Sequence, residues 1–112
     1  MARVRPPQRG DVFWVILDPT VGSEIRKTRP AVIVSNDSCN RFGARVVVAP
    51  VTSNVESLYP GEAKVSIADR EARVLGDQLR SIDKARLGNR IGRLARRDLD
   101  AVDEALRITL DL

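Results

Sequence analysis

The sequence predicts a small barrel-like α+β domain, on three observations. Short runs of Val and Ile recur between turn signals. The first run is apolar on both faces, as in a strand covered on two sides. From about Ala95 onward the apolar residues change to steps of three and four, the period of an amphipathic helix.

In order, Asp11 to Asp18 sets Val12, Trp14 and Ile16 against Phe13, Val15 and Leu17, so both aromatic residues are expected in the core of a closed or tightly wrapped sheet. Ala31 to Ser35 and Ala44 to Val51 are β-branched strands of the same kind. Between them, "NDSCNRFG" offers an Asn or Asp cap and a closing Gly43. This suits one short helical turn, with Cys39 as a small buried hydrophobe. "ESLYPGEA" is a loop, because Pro60-Gly61 favours a tight turn. "AKVSIA" alternates as a half-exposed strand, "ARVLGDQLRSID" reads as another through Leu75, Leu79 and Ile82, and "NRIGRL" as a short one after Gly88. Leu99, Val102, Leu106 and Leu110 then mark the C-terminal helix, with Asp100, Asp103 and Glu104 interleaved. No repeat or linker divides the chain, which is expected to be one domain over residues 1–112.

Composition narrows the chemistry. With 43% apolar and 30% charged residues the balance is that of a globular protein, and no apolar run is long enough for a membrane span. The N-terminus "MARVRPPQRG" is basic but lacks the apolar stretch and cleavage site of a signal peptide, so a cytoplasmic protein is expected. The single cysteine excludes an intrachain disulfide framework. With no histidine either, the usual zinc sites and the Ser-His-Asp and Cys-His arrangements are out of reach, and no metal or cofactor is expected. Charge is uneven. Residues 1 to 97 hold 18 basic against 10 acidic side chains, whereas residues 98 to 112 hold 1 against 5. A basic body with one acidic element is the footprint expected of a surface that meets polyanions.

Three cationic side chains, preceded by one acid, fall within "GSEIRKTRP", Gly22 to Pro30, which lies between two strands. "RGDVFWVILDPTVGSEIRKTRPAVIVSND", "VVVAPVT" and "DQLRSIDKARL" together resemble the MazF/PemK endoribonuclease toxins of bacterial toxin–antitoxin systems. The likeness spans Arg9 to nearly the C-terminus, with GD opening the first strand, GSE and RP bracketing the loop and a Thr ending the third strand. It implies an SH3-like barrel, a homodimer, sequence-specific cleavage of single-stranded RNA without metal, a 2′,3′-cyclic phosphate product and a cognate MazE-like antitoxin as partner.

That chemistry suits a chain without histidine. RNA carries its own nucleophile, the 2′-OH, so the protein must supply geometry and donors aimed at the charge that builds on the phosphoryl oxygens and the leaving 5′-oxygen. The resemblance assigns these tasks to Arg29 and Thr52. Arg29 precedes Pro30, which biases it to an extended conformation where a guanidinium can be held rigidly. It would bind the phosphate rather than trade protons, since a guanidinium gives up its proton only with difficulty. Glu24 could orient Arg29 or accept a base amino group, and Ser23 could hydrogen-bond the RNA backbone. Asn36, Ser53, Gln78 and Arg80 match RNA-contacting positions of the family, and Tyr59, in a loop, could stack on a base. Two other functions remain open. A topoisomerase poison like CcdB would depend on a C-terminal Trp-Gly-Ile tail, whereas this chain ends Thr-Leu-Asp-Leu and has its one tryptophan at position 14. A non-catalytic SH3-like module would bind RNA or peptide without consuming it.

Overall fold

The computed structural model of the chain describes residues 5–18, 21, 22, 24 and 27–112. Its elements run β1 (Asp11–Ile16), β2 (Thr28–Ile33), α1 (Asp37–Phe42), β3 (Arg45–Thr52), β4 (Glu62–Ile67), β5 (Arg70–Leu75), β6 (Arg80–Asp83), β7 (Leu87–Arg93) and α2 (Arg96–Leu110). Single 3-10 turns, Gly76–Gln78 and Lys84–Arg86, flank β6. The strands form one antiparallel sheet in the order β4-β5-β3-β2-β1-β7, with β6 also paired to β3.

β3 is the hub. One edge pairs with β2 from Val48 to Pro50, while the other pairs with β6 from Arg45 to Val48 and with β5 at Val51 and Thr52. The stretch expected as one strand, "ARVLGDQLRSID", is therefore two, broken by the turn at Gly76–Gln78. The reason is a close backbone approach. Gly76 is buried, and a Cβ there would lie 2.3 Å from the Gly61 carbonyl oxygen, so the chain turns over Gly61 before pairing with β3 a second time.

Alternation along the strands builds two cores. Val32 joins Val12, Ala49, Val51, Val74 and the α2 residues Leu99 and Val102, while its neighbours Ala31 and Ile33 join Val15, Leu17, Val46, Val48 and Ile82. A sheet apolar on both faces must curl to cover them, and this one is a half-barrel with α2 against one side. Along α2, Leu99 and Val102 are buried, Ala105 takes the next inward position and Leu110 is exposed. The helix also guards the end strand of the sheet: the Asp98 carboxylate accepts from the Ser66 N–H of β4 at 3.0 Å. Among the described residues no helix is long and apolar enough to cross a membrane.

Two expectations about burial fail. Trp14 and Ile16 are 44% and 48% exposed, whereas Phe13, half-buried, packs against the second core as expected. Trp14 and Ile16 share the Val12 side of β1, but α2 reaches that strand only at its start, where Leu99 lies against Gly10. Cys39 is exposed rather than buried. The six-residue helix α1 turns only Asn40 inward, so its neighbour faces solvent.

The β4–β5 hairpin holds a local strain. Ile67 pairs with Arg70, and the two residues between, Ala68 and Asp69, have φ of 50° and 63°. Both central residues at positive φ make a type I′ turn, in which Asn-Gly is preferred and alanine is disfavoured by its Cβ. Ala68→Asn is expected to stabilise the protein by about 0.5–1 kcal/mol, the usual scale of relieving such a position, read as a raised midpoint in urea. A lower midpoint would contradict this turn assignment.

Candidate active site

Arg29 lies inside β2, paired with Val15 of β1, and is half-buried. The following Pro30 is tolerated because the ladder to β3 begins only at Ala31. That ladder pairs Ala31 with Pro50, and its register, carried two residues further, sets Arg29 opposite Thr52 at the end of β3. Paired residues of a sheet, and those two apart along a strand, share a face. Arg29, Pro50 and Thr52 therefore point the same way. Thr52 in turn pairs with Arg73 of β5.

Pro50 lines a pocket of about 160 Å³ with Glu24, Asp77, Gln78, Leu79 and Arg80. Its walls come from the β1–β2 loop, the end of β3 and the turn into β6. Two arginines fix the root of that loop. Arg80 donates through Nη1 to the Leu17 carbonyl at 2.6 Å, and Arg86 Nη1 donates to the Ile16 and Asp18 carbonyls at 3.1 and 2.7 Å. Within the loop, Glu24 Oε1 accepts from the Val21 N–H at 2.6 Å, folding it on itself. At the strand end, Thr52 Oγ1 accepts from the Asn54 N–H at 3.3 Å, which leaves the hydroxyl's own proton to be donated outward. Such a site offers a guanidinium and a hydroxyl on one face, beside a cleft with both charged and amide groups. It can hold an anion and donate to it.

The residues singled out in the sequence divide accordingly. Glu24, Gln78 and Arg80 meet around the pocket, whereas Arg29 and Thr52 are not in its lining and share only the face of Pro50 by strand register. Ser53 follows Thr52 and is exposed. Tyr59 is 62% exposed in the loop between β3 and β4. Asn36 stands apart: it lies beyond the far end of β2 from Arg29, where its side chain caps α1 by accepting from the Cys39 N–H at 2.8 Å. Ser23 lies outside the described residues. Sequence reasoning missed Asp77 and Arg86. Asp77 was visible in principle, since Gly-Asp inside an apparent strand is a turn signal. Arg86 had no signal, because its carbonyl partners lie about seventy residues away.

Comparison with known proteins points to one group. The family model described as "PemK-like, MazF-like toxin of type II toxin-antitoxin system" matches residues 8–110. The chain is 40% identical to "Endoribonuclease MazF9" of Mycobacterium tuberculosis, over 94% of this chain and 97% of the relative. It is 37% identical to "Endoribonuclease EndoA" of Bacillus subtilis, over 94% and 95% of the two. Among solved structures, MazF from Deinococcus radiodurans superposes with a TM-score of 0.85 at 26% identity, covering 97% of this chain and all of that one. An endoribonuclease from a mycobacterial species, solved in complex with its cognate antitoxin, gives a TM-score of 0.80 at 26% identity over 95% and 96% of the chains.

Proposed function

The chain belongs to the PemK-like, MazF-like toxin family of type II toxin–antitoxin systems, and we propose that its single toxin domain, residues 1–112, cuts single-stranded RNA at a short sequence without a metal ion. The observation that carries the reading is the Ala31–Pro50 pairing, whose register extended two residues aligns Arg29 with Thr52 on the face where Pro50 lines the Glu24–Arg80 pocket.

In this reaction the 2′-oxygen attacks the adjacent phosphorus, the bond to the 5′-oxygen breaks, and the products are a 2′,3′-cyclic phosphate and a 5′-hydroxyl. One proton leaves the 2′-OH and one reaches the 5′-oxygen. Arg29 binds the phosphoryl oxygens as charge builds on them, through a planar fork of N–H donors. The Thr52 hydroxyl donates to the phosphate or to the departing oxygen. Glu24, Gln78 and Arg80 line the cleft in which a base edge can be read, Gln78 with both donor and acceptor. Ser23 and Ser53 are assigned to the RNA backbone, Tyr59 to base stacking and Asn36 to an outlying RNA contact.

The test is incubation of the purified protein with a long single-stranded RNA in EDTA, followed by sequencing of the product ends. Discrete cuts ending in cyclic phosphate are expected. Intact RNA from a folded protein would move the assignment to a binding module, and cuts that appear only with added metal would overturn the mechanism.

The protein would act in the cytoplasm as a homodimer, and a cognate antitoxin would restrain it. The basic excess of residues 1–97 calls for an acidic, partly disordered antitoxin segment that folds across the site and excludes RNA. Adding the product of the adjacent reading frame is expected to abolish cleavage, and undiminished cutting at saturating amounts would refute that partner. Light scattering should give twice the 12.4 kDa chain mass.

A further inference from the structure

The loop between β3 and β4 carries two exposed apolar side chains, Leu58 and Tyr59, 56% and 62% exposed. It is nevertheless pinned at three places. At its root the Thr52 hydroxyl accepts from the Asn54 N–H, and Asn54 Oδ1 accepts from the Glu56 N–H at 3.0 Å. At its end Glu62 holds Tyr59 twice, with Oε1 accepting from the Tyr59 N–H at 3.0 Å and its own N–H donating to the Tyr59 carbonyl at 3.0 Å. At its middle Arg73 donates through Nη1 to the Ser57 carbonyl, and to the Ser57 hydroxyl at 3.3 Å.

Arg73 joins these anchors. Its Nε lies 3.5 Å from Glu62 Oε1, and the two side chains are only 13% and 8% exposed. A mostly buried ion pair is a poor source of stability, because desolvating both charges offsets their attraction. Two apolar residues would hold β4 to β5 as well. The Arg73 Nε is moreover buried without a hydrogen bond, a cost that an apolar pair would not carry. What Arg and Glu add is reach: one guanidinium and one carboxylate fix both sides of the Leu58–Tyr59 tip. The location is equally telling. Arg73 is the direct partner of Thr52 in the β3–β5 ladder, so the two side chains are on the same face.

We propose that Arg73 is a positioning residue for the ribonuclease reaction, holding the β3–β4 loop so that Tyr59 meets the RNA beside the bond broken at Thr52. The inference rests on the proposed cleavage site and deepens it, by assigning part of RNA binding to a residue that itself touches no RNA. A loop fixed before binding spares the complex the cost of ordering it.

The experiment compares wild type, Arg73→Ala, Arg73→Lys, Tyr59→Ala and the double variant Arg73→Ala/Tyr59→Ala. Each is measured for KM and kcat on one RNA, and for affinity to the same RNA carrying a 2′-deoxy residue at the cut. Arg73→Ala is expected to raise KM and Kd about 10-fold, the low end of losing a base-stacking side chain, with kcat within about 3-fold of wild type. Arg73→Lys should recover part of the loss, because an ammonium can reach the Ser57 carbonyl but cannot span to Glu62 as well. The double variant should be no weaker than Tyr59→Ala, since the two residues act as a unit.

Unchanged KM and Kd in Arg73→Ala, with only a lower melting temperature, would reduce Arg73 to a stabilising residue and overturn the proposal. Additive losses in the double variant would overturn it too. If Arg73→Ala does not fold, Glu62→Gln serves in its place, because it keeps an acceptor for Tyr59 and removes the charge partner of Arg73. RNA bound but not cut by wild type would refute the Arg29–Thr52 chemistry while the Kd comparison, made with a random-sequence RNA, still judges Arg73. RNA neither bound nor cut would refute both.

Discussion

Arg29→Ala is expected to lower RNA cleavage about 100- to 1000-fold, the scale of losing one preorganised donor to a developing oxyanion. The size follows from where the residue sits. Arg29 is in a strand, and Pro30 and the Val15 pairing fix its backbone. In the proposed reaction a guanidinium on this fixed backbone would meet the phosphate with little reorganisation, so its removal would cost transition-state stabilisation more than substrate affinity. The loss should accordingly fall on kcat, with KM changing less. Arg29→Lys should restore only part of the rate, because an ammonium keeps the charge but not the two-pronged geometry. The measurement is single-turnover cleavage of one RNA by wild type and both variants, with circular dichroism to confirm folding. A folded Arg29→Ala protein that cuts at near-normal rate would remove Arg29 from the site.

Gly76→Ala is expected to destabilise the fold by about 3 kcal/mol, the upper part of the range for overpacking a close contact. The added methyl would lie 2.3 Å from the Gly61 carbonyl oxygen, which is backbone and cannot swing aside as a side chain can. Gly61 has no freedom to retreat. It sits at φ +88°, and its own Cβ position is only 2.5 Å from Thr109 Oγ1 of α2. Three segments, the turn before β4, the turn after β5 and helix α2, therefore meet where two glycines allow it. For a domain of this size the midpoint of thermal unfolding should fall on the order of 10–20 °C. Cleavage should fall as well, because the same turn carries Asp77 and Gln78 into the pocket. Gly92→Ala is the control. No atom lies within 4 Å of a Cβ at Gly92, and its φ is not in the left-handed region, so its effect should stay within about 0.5 kcal/mol. Equal stability of the two variants would refute the close-packing account.

Several candidate site residues were legible without coordinates, from local chemistry or from the family resemblance. Arg-Pro announces an extended arginine at a strand entry, and the structure places Arg29 within β2. Glu24, Gln78 and Arg80 were named as members of a common family pattern, and they line one pocket. Trp14 shows where such reading stops. Its flanking residues alternate perfectly for a two-sided strand, but whether the outer side is covered depends on how far α2 extends along β1, and α2 begins about eighty residues later in the chain. Cys39 fails for a related reason, since one helical turn can bury only the residue that happens to face β3, and here that is Asn40.

By itself the sequence determined the strand-rich body, the C-terminal amphipathic helix, the charged loop between the first two strands and the residue types available for chemistry. These are properties of periodicity, turn residues and composition, all written within a few residues of one another. The tertiary structure decided what depends on register and on distant neighbours. The β2–β3 ladder pairs Ala31 with Pro50, the register that turns Arg29 and Thr52 to one face, the β3–β5 ladder pairs Thr52 with Arg73, and the contact of Gly76 with Gly61 bends one apparent strand into two so that Asp77, Gln78 and Arg80 face the cleft. Pairing between strands far apart in sequence is a property of the whole sheet, since moving it by one residue would turn every one of these side chains to the opposite face.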